Sequence, residues 1–211
     1  MKTKEKDNYL KETLEVYINR TFAKTSVPGG GSVVACVSSL SSALIGMVLN
    51  YTLGKERYIV YEKELKDIFV ENEIILKKLS AYIERDSEIY ANIRKYTSSK
   101  DAITATKYLK ESAALHLDIC KAALKIIEFA EILAEKGNQA LISDTGISSA
   151  LAVSVFISAK INLLINLKYI TGDKEFITNS LQEIERMEKE VIEKGKAVTC
   201  KVLKKLEIKD G

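Results

Sequence analysis

The sequence predicts an all-α protein of about six helices, and three observations carry that prediction. Its 211 residues include a single proline. Its ten glycines fall mostly in a few short stretches. The rest is rich in Lys, Glu, Leu, Ile and Ala, which favour helix over sheet.

Leu10, Leu14, Ile18 and Phe22, spaced four apart between charges, predict a first amphipathic helix over residues 3–24. It must stop before Pro28, in the stretch Val27-Pro28-Gly29-Gly30-Gly31-Ser32, where Ser32 is a good N-cap for a second helix reaching residue 53. Residues 33–53 carry no charge, which meets the crude length test for a membrane span. Against that, Ser38, Ser39, Ser41, Ser42, Asn50 and Thr52 suit a central helix wrapped by others. A long third helix is predicted over 58–96, with a seam at Tyr61, Leu65, Ile68, Asn72, Leu76, Leu79, Ile83, Asp86, Tyr90 and Ile93 whose steps alternate between three and four.

After a break at residues 98–101, a fourth helix carries Leu109, Ala113, His116, Cys120, Ala123, Ile127, Ala130 and Ala134 on one stripe and ends at Lys136-Gly137-Asn138. Ser143-Asp144 lead into a fifth helix reaching residue 169, with Lys160 as its only charge before the last turn. Thr171-Gly172-Asp173 turn the chain into a sixth, with Ile177, Leu181, Ile184, Val191 and Val198 on its apolar face. No linker or internal repeat divides residues 1–211, so one helical domain is expected, with the uncharged second and fifth helices at its centre. Two long seams and two uncharged helices offer more apolar surface than six helices easily hide, which predicts a homodimer.

Composition excludes several classes. The chain is 46% hydrophobic and 29% charged, unlike a disordered or collagenous sequence, and its net charge of +3 comes from basic residues interleaved with acidic ones. No nucleic-acid partner is therefore expected. Cys36, Cys120 and Cys200 lie about eighty residues apart on apolar helical patterns, so they read as small core residues of a reducing compartment and not as a zinc or disulfide framework. The charged N-terminus lacks a signal-peptide pattern, so a cytoplasmic protein without a membrane partner is expected.

Asp86 is the first candidate for chemistry, because its seam neighbours Leu79, Ile83, Tyr90 and Ile93 are apolar. Burial there would raise its pKa and suit a general acid or base; a rotated helix would leave it paired at the surface with no such role. Asn72, also on the seam, reads as a polar residue fixing register. The amides of Gly29, Gly30, Gly31 and Ser32 at a helix start suit a phosphate or carboxylate, or simply a turn that lets helices pack closely. Asp144 reads as an ordinary N-cap. Asn162 and Asn166, four apart, can face a heterocycle or each other. His116, the only histidine, reads as a core imidazole, since no second ligand accompanies it for a metal.

Five motifs then join up. Val27-Pro28-Gly29-Gly30-Gly31-Ser32-Val33, Tyr51-Thr52-Leu53-Gly54-Lys55, Asp86-Ser87-Glu88-Ile89-Tyr90, Gly137-Asn138 with Ser143-Asp144, and Asn162-Leu163-Leu164-Ile165-Asn166-Leu167 resemble, in that order, the cyclodeaminase/cyclohydrolase family. That family includes the C-terminal domain of formimidoyltransferase-cyclodeaminase and free-standing methenyltetrahydrofolate cyclohydrolases, and the resemblance spans residues 27–190. It implies an all-helical dimer that handles a one-carbon unit on tetrahydrofolate with no metal and no tightly bound cofactor. It implies Asp86 as catalytic residue, and Gly29, Gly30, Gly31, Ser32, Tyr90, Asp144, Asn162 and Asn166 as substrate-pocket elements. The folate tail is then expected near the Gly29–Ser32 amides or near Lys55 and Arg57. Where many members carry a proline in the fourth helix this chain has His116, so no family role passes to that residue.

Formiminotetrahydrofolate cyclodeamination, with ammonia released, is the leading expectation, and hydrolysis of methenyltetrahydrofolate the alternative. A separate formimidoyltransferase would have to supply the substrate of the first. A non-catalytic helical scaffold or membrane-associated bundle is the competitor from outside enzymology.

Overall fold

The computed structural model describes residues 8–207. Six α-helices follow one another: α1 (Leu14–Phe22), α2 (Gly30–Asn50), α3 (Glu62–Ser98), α4 (Ala102–Lys136), α5 (Ile142–Tyr169) and α6 (Lys174–Leu206), with no strand among the described residues. Side-chain caps set several of the boundaries. Thr13 accepts from the Val16 amide, Asp101 from Thr104 and Asp173 from Phe176, each satisfying a donor that the first helical turn leaves orphaned. Gly172, at φ +83, supplies the left-handed residue that turns the chain from α5 into α6.

The first helix departs from expectation. It breaks at Glu12 and Thr13 into a short 3₁₀ turn (Tyr9–Lys11) and α1, and the predicted start at residues 3–7 lies outside the described residues. Tyr9 and Tyr17 are buried instead of the aliphatic stripe, their rings meeting edge to face at 5.5 Å. Leu10, Leu14, Ile18 and Phe22 all face outward, Phe22 at 92% exposure. The tyrosines win because they bring more area to the core and the Tyr17 hydroxyl finds a buried partner in Ser32. Ser32 is likewise not the N-cap: Gly29 occupies that position and Ser32 lies buried inside the first turn of α2.

The predicted stripe of α4, from Leu109 through His116 to Ala134, is buried along its whole length, and α4 packs against α2, α3, α5 and α6. Small residues let α2 and α5 approach closely. Ser41 donates to the Ser148 carbonyl and Ser148 to that of Ser41, both at 2.8 Å, so each hydroxyl stitches one helix to the other. Asn72 on α3 behaves as a register residue: its amide donates to the Ser42 carbonyl at 3.0 Å and accepts from the Ser42 hydroxyl at 2.8 Å. Over half of the apolar window of α2 is buried in the bundle, whereas only 33% of that in Gln139–Tyr169 is. α5 thus keeps an outward face with Ile147, Ile157, Ile161, Leu164 and Ile165 exposed. Two smaller expectations also fail: Leu181 is exposed on α6, and Cys200 lies at the surface and not in the core.

Candidate active site

The seam of α3 brings Asp86 to the end of the bundle where α2 begins. Its carboxyl is 13% exposed and receives the backbone N–H of Ser32, within the first turn of α2. That helix start directs its free amides and positive dipole end at the acid. Gly31 is required for the approach: a Cβ on it would lie 2.0 Å from Asp86 Oδ1 and 2.4 Å from Cγ. Ser32 fixes the geometry from behind, donating to the Ile83 carbonyl at 2.7 Å and meeting the Tyr17 hydroxyl at 2.9 Å. Ile83 lies one helical turn before Asp86, so a buried chain of three groups ties α1, α2 and α3 together beside the acid. Burial pushes the Tyr17 hydroxyl up to about 12, keeping it a neutral partner.

His116 on α4 closes the other side. Its Nδ1 lies 2.8 Å from the Ser112 carbonyl, which can only accept, so the neutral ring carries its proton on Nδ1. Nε2 is then bare, buried, without a hydrogen bond, and 3.6 Å from Asp86 Oδ1. Desolvation holds the Asp86 carboxyl above the ordinary carboxylate range, against the opposing pull of His116 and of the Ser32 amide. Desolvation likewise holds the imidazole below its ordinary value, against the pull of Asp86 and of the Ser112 carbonyl. Two proton acceptors thus face each other in a dry corner where an added proton serves both.

A cavity of about 480 Å³ opens onto this pair, lined by Gly29, Gly30, Gly31, Asp86, Tyr90, His116, Asn162 and Asn166 among others. Its size suits a small organic ligand. Asn166 spends one N–H on the Asn162 carbonyl at 2.7 Å, leaving its remaining donor and its oxygen for a ligand. Sequence-predicted residues from the starts of α2 and the later turns of α3 and α5 therefore converge here, with Ser32 just behind the wall.

Lys55 and Asp144 do not join them. Asp144 lies in the first turn of α5, eighteen residues before Asn162, which at about 1.5 Å per residue is roughly 27 Å away. Lys55 follows the C-terminal end of α2, whose start carries the site. The two belong to the far end of the bundle, where Asn138 bonds to Thr52 and to the Tyr51 carbonyl. Asp144 is not the N-cap of α5 either, since Leu141 holds that position and Asp144 sits within the first turn. The folate tail expected near Lys55 and Arg57 loses its basis for the same reason.

The model of one protein family, formiminotransferase-cyclodeaminase, matches residues 13–186 and so encloses every residue of this site. The chain belongs to the formiminotransferase-cyclodeaminase family. It is 32% identical over 183 residues, covering 82% of this chain and 88% of the relative, to a methenyltetrahydrofolate cyclohydrolase of Methylorubrum extorquens. It is 27% identical over 174 residues, 78% of this chain, to the formimidoyltransferase-cyclodeaminase of Rattus norvegicus, of which it spans 32%. Among solved structures it superposes on formiminotetrahydrofolate cyclodeaminase from Thermotoga maritima with a TM-score of 0.87 and 30% identity, covering 95% of this chain and all of that one.

In this member of the family, sequence reasoning passed over His116 as an acid's neighbour. The signal was present: a lone imidazole on the most buried stripe of the chain needs a polar partner, and Asp86 is the one seam acid that can meet it. Tyr169 and Ser112, which also line the cavity, carried no such signal.

Proposed function

We propose that this chain is a folate one-carbon enzyme, a formiminotetrahydrofolate cyclodeaminase, with Asp86 as its general acid and base. The observation that carries the reading is the buried Asp86–His116 pair at the wall of a ligand-sized cavity. Family membership and the likeness to the Thermotoga maritima cyclodeaminase over the whole of that chain support it.

In this reaction N10 of the folate attacks the formimino carbon bound to N5. Asp86 takes the N10 proton and returns it to the former imino nitrogen. One further proton, passed from solvent through the same carboxyl, lets that nitrogen leave as ammonia, and the methenyl bridge keeps the positive charge. A carboxyl raised by desolvation suits both halves, since it neither holds nor releases a proton irreversibly near neutrality. His116 Nε2 gives the proton a second resting place. The Asn162 and Asn166 amides present donors and acceptors to the polar edge of the pterin.

Hydrolysis of 5,10-methenyltetrahydrofolate is the second reading, favoured by the 32% identity to the Methylorubrum extorquens cyclohydrolase. There Asp86 removes a proton from water as it adds to the methenyl carbon, and its charge offsets that of the cation. Supplying each folate separately and following methenyl absorbance decides the matter. Appearance of the band with ammonia from formiminotetrahydrofolate supports the first reading; loss of the band from methenyltetrahydrofolate faster than in buffer supports the second, and neither overturns both. For the first, a separate formimidoyltransferase supplies the substrate, the activity that the animal relatives carry by name on the same chain.

The reading extends to a homodimer. Leu14, Ile18 and Phe22 on α1 and Ile157, Ile161 and Ile165 on α5 leave two apolar faces in the open, of the kind a second copy covers. Light scattering at micromolar concentration should give twice the chain mass, and Ile161→Glu should halve it. A monomeric wild type, or a wild type that requires detergent, overturns this part.

A further inference from the structure

Of the nine residues of α1, Tyr17 alone is buried, and the aliphatic side chains of Leu14, Val16 and Ile18 face outward. A phenylalanine would fill that position with the same ring, and a buried hydroxyl costs free energy unless it is bonded. The hydroxyl therefore has a use beyond anchoring the helix. It lies 2.9 Å from Ser32 Oγ. Ser32 has a single hydroxyl proton and gives it to the Ile83 carbonyl at 2.7 Å, an oxygen that only accepts, so Tyr17 is the donor of the pair.

Ser32 grips α3 at two points about one helical turn apart. Its backbone N–H reaches the Asp86 carboxyl, and its hydroxyl reaches the Ile83 carbonyl. The grip sets where the first turn of α2 stands against the acid, and that distance is critical, since beside Asp86 there is no room even for a Cβ on Gly31. Ser32 is fully buried and Tyr17 nearly so, which leaves solvent little access to either bond. Both stand behind the cavity wall that Gly29, Gly30, Gly31, Asp86 and His116 help to form. The Tyr17 hydroxyl, pushed up to about 12 chiefly by burial, keeps the proton it donates throughout the neutral range.

We infer that Tyr17 is a positioning residue for proton transfer by Asp86: its hydroxyl locks Ser32 onto α3 and so keeps the Ser32 amide on the carboxyl. This rests on the folate reading given above, and it gives Ser32, expected from the sequence in the substrate pocket, a place behind the acid. Neither residue touches the substrate, so the lock acts on kcat and leaves KM alone. It also acts on the proton affinity of Asp86. The Ser32 amide favours the charged carboxylate, and a loosened amide lets desolvation raise the carboxyl further. The elements packed about Asp86 present to it His116 from α4, the Ser32 amide from α2 and Tyr17 from α1, while α5 turns the uncharged Asn162 and Asn166 to the cavity. Removing the Tyr17 hydroxyl leaves His116 on its Ser112 partner, so a shift at Asp86 reports on the grip of Ser32.

The test uses the purified full chain as wild type, Tyr17→Phe, Ser32→Ala and the double variant. Turnover of formiminotetrahydrofolate and of methenyltetrahydrofolate is followed by methenyl absorbance. The Asp86 carboxyl is titrated by NMR without substrate, its signal assigned by its absence in Asp86→Asn. Tyr17→Phe should lower kcat about fivefold, the rate equivalent of one hydrogen bond, and Ser32→Ala about thirtyfold. KM should stay within about twofold of wild type, and in both variants the carboxyl titration and the acidic limb of kcat/KM should move to higher pH. Because Tyr17 acts through Ser32, the double variant should lose no more than Ser32→Ala alone, whereas independent roles would multiply to about 150-fold. Wild-type kcat or an unmoved carboxyl titration in Tyr17→Phe overturns the proposal, as does a double variant whose losses multiply. Should Tyr17→Phe not fold, an unmoved titration in Ser32→Ala overturns it equally. A wild type that turns over neither folate overturns the folate reading, whereas the carboxyl titration, which needs no substrate, still decides the lock.

Discussion

Replacing Gly31 with alanine adds one carbon at the most crowded point of the site. That carbon would stand 2.0 Å from Asp86 Oδ1, 2.4 Å from Cγ and 2.6 Å from Oδ2, whereas ordinary contact begins at 3.4 Å. The carboxyl must therefore withdraw by about 1.4 Å, and because all three of its atoms are too close, rotation about one bond does not free it. A displacement near 1 Å of a reacting group costs on the order of 100-fold in rate, equivalent to about 2.7 kcal/mol of barrier. The fold should tolerate the change, since alanine is favoured over glycine inside a helix by about 1 kcal/mol and Gly31 sits in the first turn of α2. Turnover followed by methenyl absorbance, alongside thermal unfolding, separates the two effects. Wild-type turnover in Gly31→Ala would refute the claim that the glycine exists to admit the carboxyl; an unfolded variant would refute the claim that only the acid is crowded.

Other consequences are measurable on the same preparations. Of the groups that face Asp86, namely His116, the Ser32 amide and Tyr17, the first two pull its pKa down against desolvation. His116→Gln removes one of those pulls, so the acidic limb of the kcat/KM profile should move to higher pH; a limb that stays put would make His116 a packing residue only. A carboxyl whose folded pKa is raised contributes stability that is complete below its unfolded value of 3.8 and is lost as pH rises through the folded value. Asp86→Asn should thus be more stable than wild type in urea unfolding at pH 8, by about 1.4 kcal/mol for every unit of the shift, with the advantage vanishing towards pH 4. Ser42→Ala leaves the buried Asn72 oxygen without its donor and should cost about 1–3 kcal/mol in urea unfolding; an unchanged midpoint would remove Asn72 from its role in setting the α2–α3 register.

The helices and Asp86 are legible in the sequence because one periodicity carries both: the α3 seam that buries Leu79 and Ile83 also carries Asp86 inward. The α4 stripe is legible for the same reason. What periodicity does not reveal is which polar groups from different helices meet. His116 and Asp86 each read correctly as inward-facing, yet their encounter depends on the packing of α3 against α4. Lys55 and Asp144 go astray because successive loops of an antiparallel bundle alternate between its two ends. Motifs consecutive in the chain, such as Gly29–Ser32 and Tyr51–Lys55, are therefore separated by the length of α2. The stripe of α1 misleads because Tyr9 and Tyr17, one position off it, offer the core both area and a bonded hydroxyl.

The most direct test of the proton shuttle is turnover by Asp86→Asn with substrate binding measured in parallel. Asparagine keeps the shape of the side chain and its contact with the Ser32 amide but cannot carry a proton between nitrogens. Binding within a few-fold of wild type with turnover reduced by about 10²- to 10⁴-fold is the expected result; a variant that binds and turns over as the wild type does would contradict it.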